Sequence, residues 1–182
     1  MAIIRDENKW IDLARSGDAD AFCQLYGLYR SRLYRYAFYR LRSETDVEDA
    51  VSECVLSAWR QIGTLRSSEA FGVWIFRILS GCCGKLIRQQ IDRQQQLSLD
   101  DPASAEPPGD PADGDSSADT ADTRMILEEA LAELTEEERN IVLLSAVCGF
   151  KSHEIAELTG RTAGSVRSVL SRSLKKVRGY LS

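Results

Sequence analysis

The chain has 182 residues, five cysteines, one histidine, and 28 acidic against 23 basic side chains, a net charge of −5. That length holds one or two small domains, and a lone His153 with no CxxC spacing excludes both a His/Cys metal cluster and a disulfide framework. No run approaches the ~20 apolar residues of a membrane span, and residues 1–10 lack an apolar signal core, so a cytoplasmic protein without membrane insertion is expected.

The average charge hides a partition. Residues 1–98 hold 14 basic and 12 acidic side chains, residues 124–182 hold 9 and 8, and residues 99–123 hold 8 acids and no base. All the excess acid therefore lies in one short segment, and the low net charge does not argue against nucleic acid as a partner.

In chain order, the first 98 residues show no strand-like alternation and read as helices over 7–16, 18–41, 44–62 and 67–95. Asp18 caps the second, whose stripe is Phe22, Leu25, Tyr26, Leu28, Tyr29, Leu33, Tyr36 and Ala37. Ser43 or Thr45 starts the third. The acids Glu44, Asp46, Glu48 and Asp49 crowd its first turns, where the helix dipole favours them. Its stripe is Val47, Val51, Val55, Ala58, Trp59 and Ile62, and Gly63 ends it. The fourth carries Phe71, Trp74, Ile75, Ile78 and Leu79; Trp59, Phe71 and Trp74 are read as core rather than as stacking platforms. Gly81 and Gly84 inside this helix each cost ~1 kcal/mol relative to Ala. The cysteines, Cys82 and Cys83 among them, are expected to be reduced and partly buried.

Residues 99–123 hold all four prolines and almost no large apolar side chain, a composition that cannot bury enough surface to fold alone. They are expected to link two helical domains, 1–98 and 124–182, in an all-α protein. Helices are expected over 124–133 and 136–148, the latter begun by a capping box of Thr135 and Glu138.

The last thirty residues are the most informative. Ser152 is positioned to cap a short helix carrying Ile155, Ala156 and Leu158, and Gly160 supplies a turn that tolerates positive φ. A second helix follows, with the stripe Val166, Val169, Leu170, Leu174 and Val177. This spacing is that of a DNA-binding helix-turn-helix. Its polar face carries Arg167, Arg172, Lys175, Lys176 and Arg178, which can neutralise phosphates, and no acid follows Glu157. Thr162, Ser165, Ser168 and Ser171 are short enough to let the backbone approach the duplex. Ser165, Arg167, Ser168 and Arg172 are the candidates for base edges. No phosphate-cradling glycine loop is present and His153 has no buried acid to pair with, so the protein is expected to be no enzyme, with neither catalytic residue, metal nor cofactor.

Four motifs then resemble the extracytoplasmic-function group of bacterial sigma-70-type factors. Residues 14–22 (ARSGDADAF) with Leu25, Tyr26 and Tyr29 resemble its opening helix pair. Residues 46–53 (DVEDAVSE) with Ala58 and Trp59 resemble its polymerase-binding helix, and residues 71–78 (FGVWIFRI) its promoter-opening region. Leu134 to Arg139, Gly149 and residues 154–157 (EIAE) resemble its reader of the −35 element. The chain departs from the pattern at Ser52, where the family usually has Gln, and at residues 80–85 (SGCCGK), where it usually has Asn and several bases.

The resemblance implies a factor that binds core RNA polymerase and promoter DNA, with an anti-sigma protein as an inhibitory partner. It implies polymerase contacts at Asp46, Glu48, Asp49 and Glu53. Contacts to the −10 region fall on Arg66, Ser67, Ser68, Arg77, Lys85 and Arg88. Contacts to the −35 duplex fall on Thr162, Ser165, Arg167, Ser168, Ser171, Arg172, Lys175 and Lys176. A helix-turn-helix regulator that binds an operator as a dimer is the alternative, and the acid-plus-aromatic pattern of the first domain, which a sensor module does not need, separates the two.

Overall fold

The computed structural model describes the backbone of residues 2–97 and 126–180, and the side chains of residues 7–94 and 126–180. Among the described residues there is no strand. The chain divides into two compact units, Met1–Pro108 and Gly109–Ser182. The expected linker 99–123 lies outside the described residues.

In the first unit α1 spans Ala2–Arg15, α2 Ala19–Leu41, α3 Glu44–Gln61 and α4 Phe71–Leu97. The local signals act as their chemistry predicts. The Asp18 carboxylate accepts from the Ala21 N–H at 2.9 Å, and the Ser43 hydroxyl accepts from the Asp46 N–H at 3.3 Å. Helix α1 begins earlier than expected, since nothing in its first residues breaks a helix. Helix α3 stops at Gln61, before Gly63, and continues as a 3₁₀ turn over Ile62–Thr64, with the buried Ile62 drawn toward the core. A second 3₁₀ turn, Ser68–Ala70, leads into α4.

Helices α2, α3 and α4 pack on one another, and α1 lies against α2 and both 3₁₀ turns. Leu25, Leu33, Tyr36, Phe71, Phe76, Ile75 and Leu79 are fully buried among them. Tyr29 meets Phe71 edge-on with ring centres 5.2 Å apart, and Tyr36 meets Phe76 edge-on at 5.6 Å. One cation enters this core. Arg40 is buried and donates to the Tyr36 hydroxyl at 2.7 Å and to the Ser80 hydroxyl at 3.0 Å, joining α2 to α4. Ser80, part of the segment that departs from the family pattern, thereby satisfies a buried charge.

Three expectations about the core are corrected. Leu28 faces outward on α2 and Trp59 is 37% exposed, resting on Phe22 at 5.2 Å. The stretch Ser68–Gln94 is, by length and composition, apolar enough to cross a membrane, which the sequence reading did not expect. Its side chains Phe71, Ile75, Phe76, Leu79 and Cys83 are buried against the neighbouring helices, although only 28% of its most apolar window is buried.

In the second unit α5 covers 126–132, α6 Glu136–Ala146, α7 Ser152–Thr159 and α8 Ala163–Tyr180. Thr135 and Glu138 form the expected capping box: the Glu138 N–H donates to the Thr135 hydroxyl at 3.3 Å, and the Thr135 N–H donates to the Glu138 carboxylate at 3.1 Å. At α7 the cap differs from expectation. Lys151 holds the N-cap position, Ser152 is already helical, and the Glu154 carboxylate accepts from the Lys151 N–H at 2.7 Å. The stripe of α8 also shifts. Val166, Val169 and Ser173 are buried, whereas Leu174 is 47% exposed. Positions 166, 169 and 173 follow the helical period most closely, so a serine takes the core position and the leucine its flank. The Ser173 hydroxyl has no hydrogen-bond partner among the described residues.

Candidate nucleic-acid interface

Helices α7 and α8 are joined by Gly160, which sits at φ +69° and donates its N–H to the Ala156 carbonyl. A side chain there would be strained, since L-residues rarely adopt this region. Thr162 then caps α8: its hydroxyl accepts from the Ser165 N–H at 3.2 Å, and its carbonyl from the Val166 N–H at 3.0 Å. Burial of Val166, Val169 and Ser173 turns the opposite face outward. Arg167, Ser168, Ser171, Arg172 and Lys175 are all exposed on it. Arg172 lies back along the helix, its Nε donating to the Ser168 carbonyl at 3.3 Å. The structure thus gathers the candidate −35 residues on one basic face.

Two members of that set sit apart. Ser165 is half-buried, and its hydroxyl accepts from Arg161 at 3.2 Å. Lys176 is held by Glu138, with its ammonium 2.8 and 2.9 Å from the two carboxylate oxygens. The Lys176 ammonium in turn holds the Glu138 carboxyl below the usual carboxylate range. Arg161 makes a further ion pair, with Glu137. Tyr180 donates to Glu129 at 2.9 Å. An acidic ledge on α5 and α6 therefore holds α8 at Lys176 and Tyr180 and the turn before it at Arg161, and leaves Arg167, Arg172 and Lys175 exposed. Sequence reasoning missed Arg161 and Glu137. Both look like ordinary surface charges, and no periodicity links positions on different helices.

The first unit carries two further faces. Burial of Val47, Ala50, Val51, Cys54 and Ala58 turns Asp49 and Glu53 outward on α3. They border a groove of about 360 Å³ between α3 and α4, lined also by Leu56, Cys82, Lys85 and Leu86. Leu56 is 49% exposed at its lip. The structure does not bring the four candidate acids together: Glu48 is exposed away from the groove lining, and Asp46 accepts from Gln90 at 2.5 Å. None of the five cysteines forms a disulfide. Burial pushes Cys54 well up, and burial with the nearby Glu53 carboxylate pushes Cys82 up. Both remain protonated and weakly nucleophilic.

The other face belongs to the turn before α4 and to α4 itself. Buried Leu65 anchors the loop, Arg66 and Ser67 are exposed, and Ser68 donates to Asp12 at 3.3 Å. Arg77, Lys85 and Arg88 are exposed along α4. Phe71 is buried, while Trp74 is half-buried with its ring centre 5.7 Å from that of Phe71. Gly81 and Gly84 are accommodated within the helix, and a Cβ at Gly81 would meet nothing within 4 Å.

Comparison with known proteins matches both units. The family pattern described as "Sigma-70 region 2" matches residues 25–92, and that described as "Sigma-70, region 4" matches residues 124–177. The chain is 29% identical over 170 residues to the ECF RNA polymerase sigma factor SigM of Mycobacterium tuberculosis, covering 92% of this chain and 82% of that protein. It is 29% identical over 170 residues to the RNA polymerase sigma factor CarQ of Myxococcus xanthus, covering 92% of each. Among solved structures, it is similar to CnrH in complex with the cytosolic domain of CnrY, with a TM-score of 0.70, 21% identity and 97% of each chain covered. It is also similar to the sigma factor RpoE in complex with the anti-sigma factor NepR from Bartonella quintana, with a TM-score of 0.71 and 22% identity, over 88% of this chain and 96% of that one.

Proposed function

We propose how the residues of this chain divide the work of promoter recognition from one premise: the chain belongs to the extracytoplasmic-function group of sigma-70-type RNA polymerase sigma factors. It binds core RNA polymerase and directs promoter-specific initiation. The observation that carries this function is the presence of both sigma regions in one chain, in the order the family has them. A dimeric operator-binding regulator needs only the second.

Residues 1–98 bind polymerase and open the −10 element, residues 124–182 read the −35 duplex, and residues 99–123 connect them. Asp49 and Glu53, beside the exposed Leu56, offer a partner an acidic rim around an apolar step. Rim charges of this kind set register and on-rate. Arg66, Ser67, Ser68, Arg77, Lys85 and Arg88 face the −10 region. Arg167, Ser168, Ser171, Arg172 and Lys175 face the −35 duplex, with Ser165 and Thr162 at the start of α8. Lys176, matched by Glu138, contributes less than its neighbours. The protein acts without chemistry of its own, as a polymerase subunit in the cytoplasm. Because RpoE was solved with the anti-sigma factor NepR, an anti-sigma protein is proposed as the inhibitory partner of this chain too.

The test is transcription. Purified protein added to core RNA polymerase on a genomic template should yield transcripts from discrete start sites that core alone does not use. No such transcript from any template would sink the reading. At the second unit, Arg172→Ala should weaken holoenzyme binding to a −35 duplex and flatten the slope of log affinity against log salt by about 0.9, the loss of one phosphate contact. Unchanged affinity and slope at moderate salt would remove Arg172 from the interface.

A further inference from the structure

Two serines at the start of α8 are held in opposite hydrogen-bonding senses. A serine hydroxyl has one hydrogen to give and two lone pairs to accept with. At Ser165 one lone pair is taken by the Arg161 guanidinium at 3.2 Å, and among the described residues its hydroxyl hydrogen has no acceptor. At Ser168 the hydrogen goes to the Gly164 carbonyl at 3.1 Å, which leaves only lone pairs for a ligand. Arg161 is itself anchored, because its other terminal nitrogen is ion-paired with Glu137 on α6. A guanidinium stays protonated at any ordinary pH and carries no acceptor, so it can never ask Ser165 for its hydrogen.

We propose that the Glu137–Arg161 pair holds Ser165 as a hydrogen-bond donor toward DNA, while the Gly164 carbonyl holds Ser168, one turn on, as an acceptor. The two serines would then read base edges of opposite sense. A donor suits the acceptor edges of guanine, adenine N7 or thymine O4, and an acceptor suits the amino groups of adenine or cytosine. Reversing the sense at Ser168 breaks the bond to the Gly164 carbonyl, whereas Ser165 keeps its hydrogen free to donate with one lone pair still open. Arg161 and Glu137 are positioning residues in this scheme. The charge of Arg161 is spent on Glu137, so it acts through Ser165 rather than on a phosphate. The inference rests on reading α8 as the −35 helix.

The experiment is selection of duplexes from a library randomised across the −35 region, using holoenzyme assembled from the full chain and core RNA polymerase. Arg161→Gln and Ser165→Ala are each expected to reduce the preference at one and the same base position, by roughly five- to tenfold. The double variant should lose no more than either single one. Ser165→Thr, which keeps the hydroxyl, should restore the preference. Ser168→Ala should relax a different position, one at which the wild type prefers an amino-bearing base. Arg161→Gln should leave the salt slope unchanged. An unchanged base preference in Arg161→Gln would overturn the proposal, as would a salt slope reduced by about 0.9, the mark of a phosphate contact. If wild-type holoenzyme selects no −35 motif at all, the reading of α8 fails first and the proposal with it.

Discussion

Reversing the charge of Asp49 and Glu53 together (Asp49→Lys, Glu53→Lys) is expected to abolish co-purification with core RNA polymerase and to lower promoter-specific transcription at least a hundredfold. Both carboxylates are exposed beside the α3–α4 groove, next to the exposed Leu56. The double change turns two attractive contacts into two repulsive ones, and juxtaposed like charges across an interface cost several kcal/mol. The fold itself should survive. Surface substitutions away from caps and packed contacts stay within about 0.5 kcal/mol, and loss of the helix-dipole interaction adds only a few tenths. Circular dichroism and thermal unfolding on the variant check this. Co-purification at wild-type level with an intact fold would move the polymerase contact away from this rim. Asp46→Asn serves as a contrast: that carboxylate is tied to Gln90, so its effect should fall on α3–α4 packing more than on association.

The second large effect is expected in the core. Phe71→Ala should destabilise the first unit by about 3–5 kcal/mol, the range for removing a buried aromatic ring. Phe71 is fully buried, edge-on to Tyr29 at 5.2 Å and tilted against Trp74 at 5.7 Å, where α4 begins. The loss exceeds simple transfer because the ring pairs add to the area buried and the surrounding helices cannot close the cavity fully. A domain with about 10 kcal/mol of total stability would spend a large part of it. Denaturant unfolding followed by circular dichroism measures the change, and transcription should fall at 37 °C while partly recovering at lower temperature. Trp59→Leu, at a ring 37% exposed, should cost much less. Equal losses at the two positions would contradict the core as described.

How far the chain could be read in advance depended on the range of the signal. The caps at Asp18 and Thr135, and Ser43 as one of two candidates with Thr45, were legible because each hydrogen bond spans three residues. Gly160 was legible because only its backbone freedom was needed. The cap at α7 was misread for the same kind of reason. Ser152 is the better capping residue by type, but Lys151 takes the position because the Glu154 carboxylate reaches back to its N–H. On α8 the leucines drew the expected stripe one residue away from its true line, because apolarity was weighed above helical period. Burial of Ser173 shows that the packed surface follows the geometry of the helix.

The sequence by itself determined the helices, the caps of α2 and α6, the glycine turn, the division of charge along the chain and the basic outward face of its last helix. These follow from backbone bonds within a turn and from the helical period. Only the tertiary structure decided which of the charges remain available. Lys176 meets Glu138 across 38 residues, Gln90 meets Asp46 across 44, and Arg40 reaches Ser80 across 40. Such pairs depend on how helices cross, and no local pattern encodes the crossing. Arg161 looked like one more surface cation until Glu137 and Ser165 were placed around it, and the same packing left Arg167, Arg172 and Lys175 facing outward.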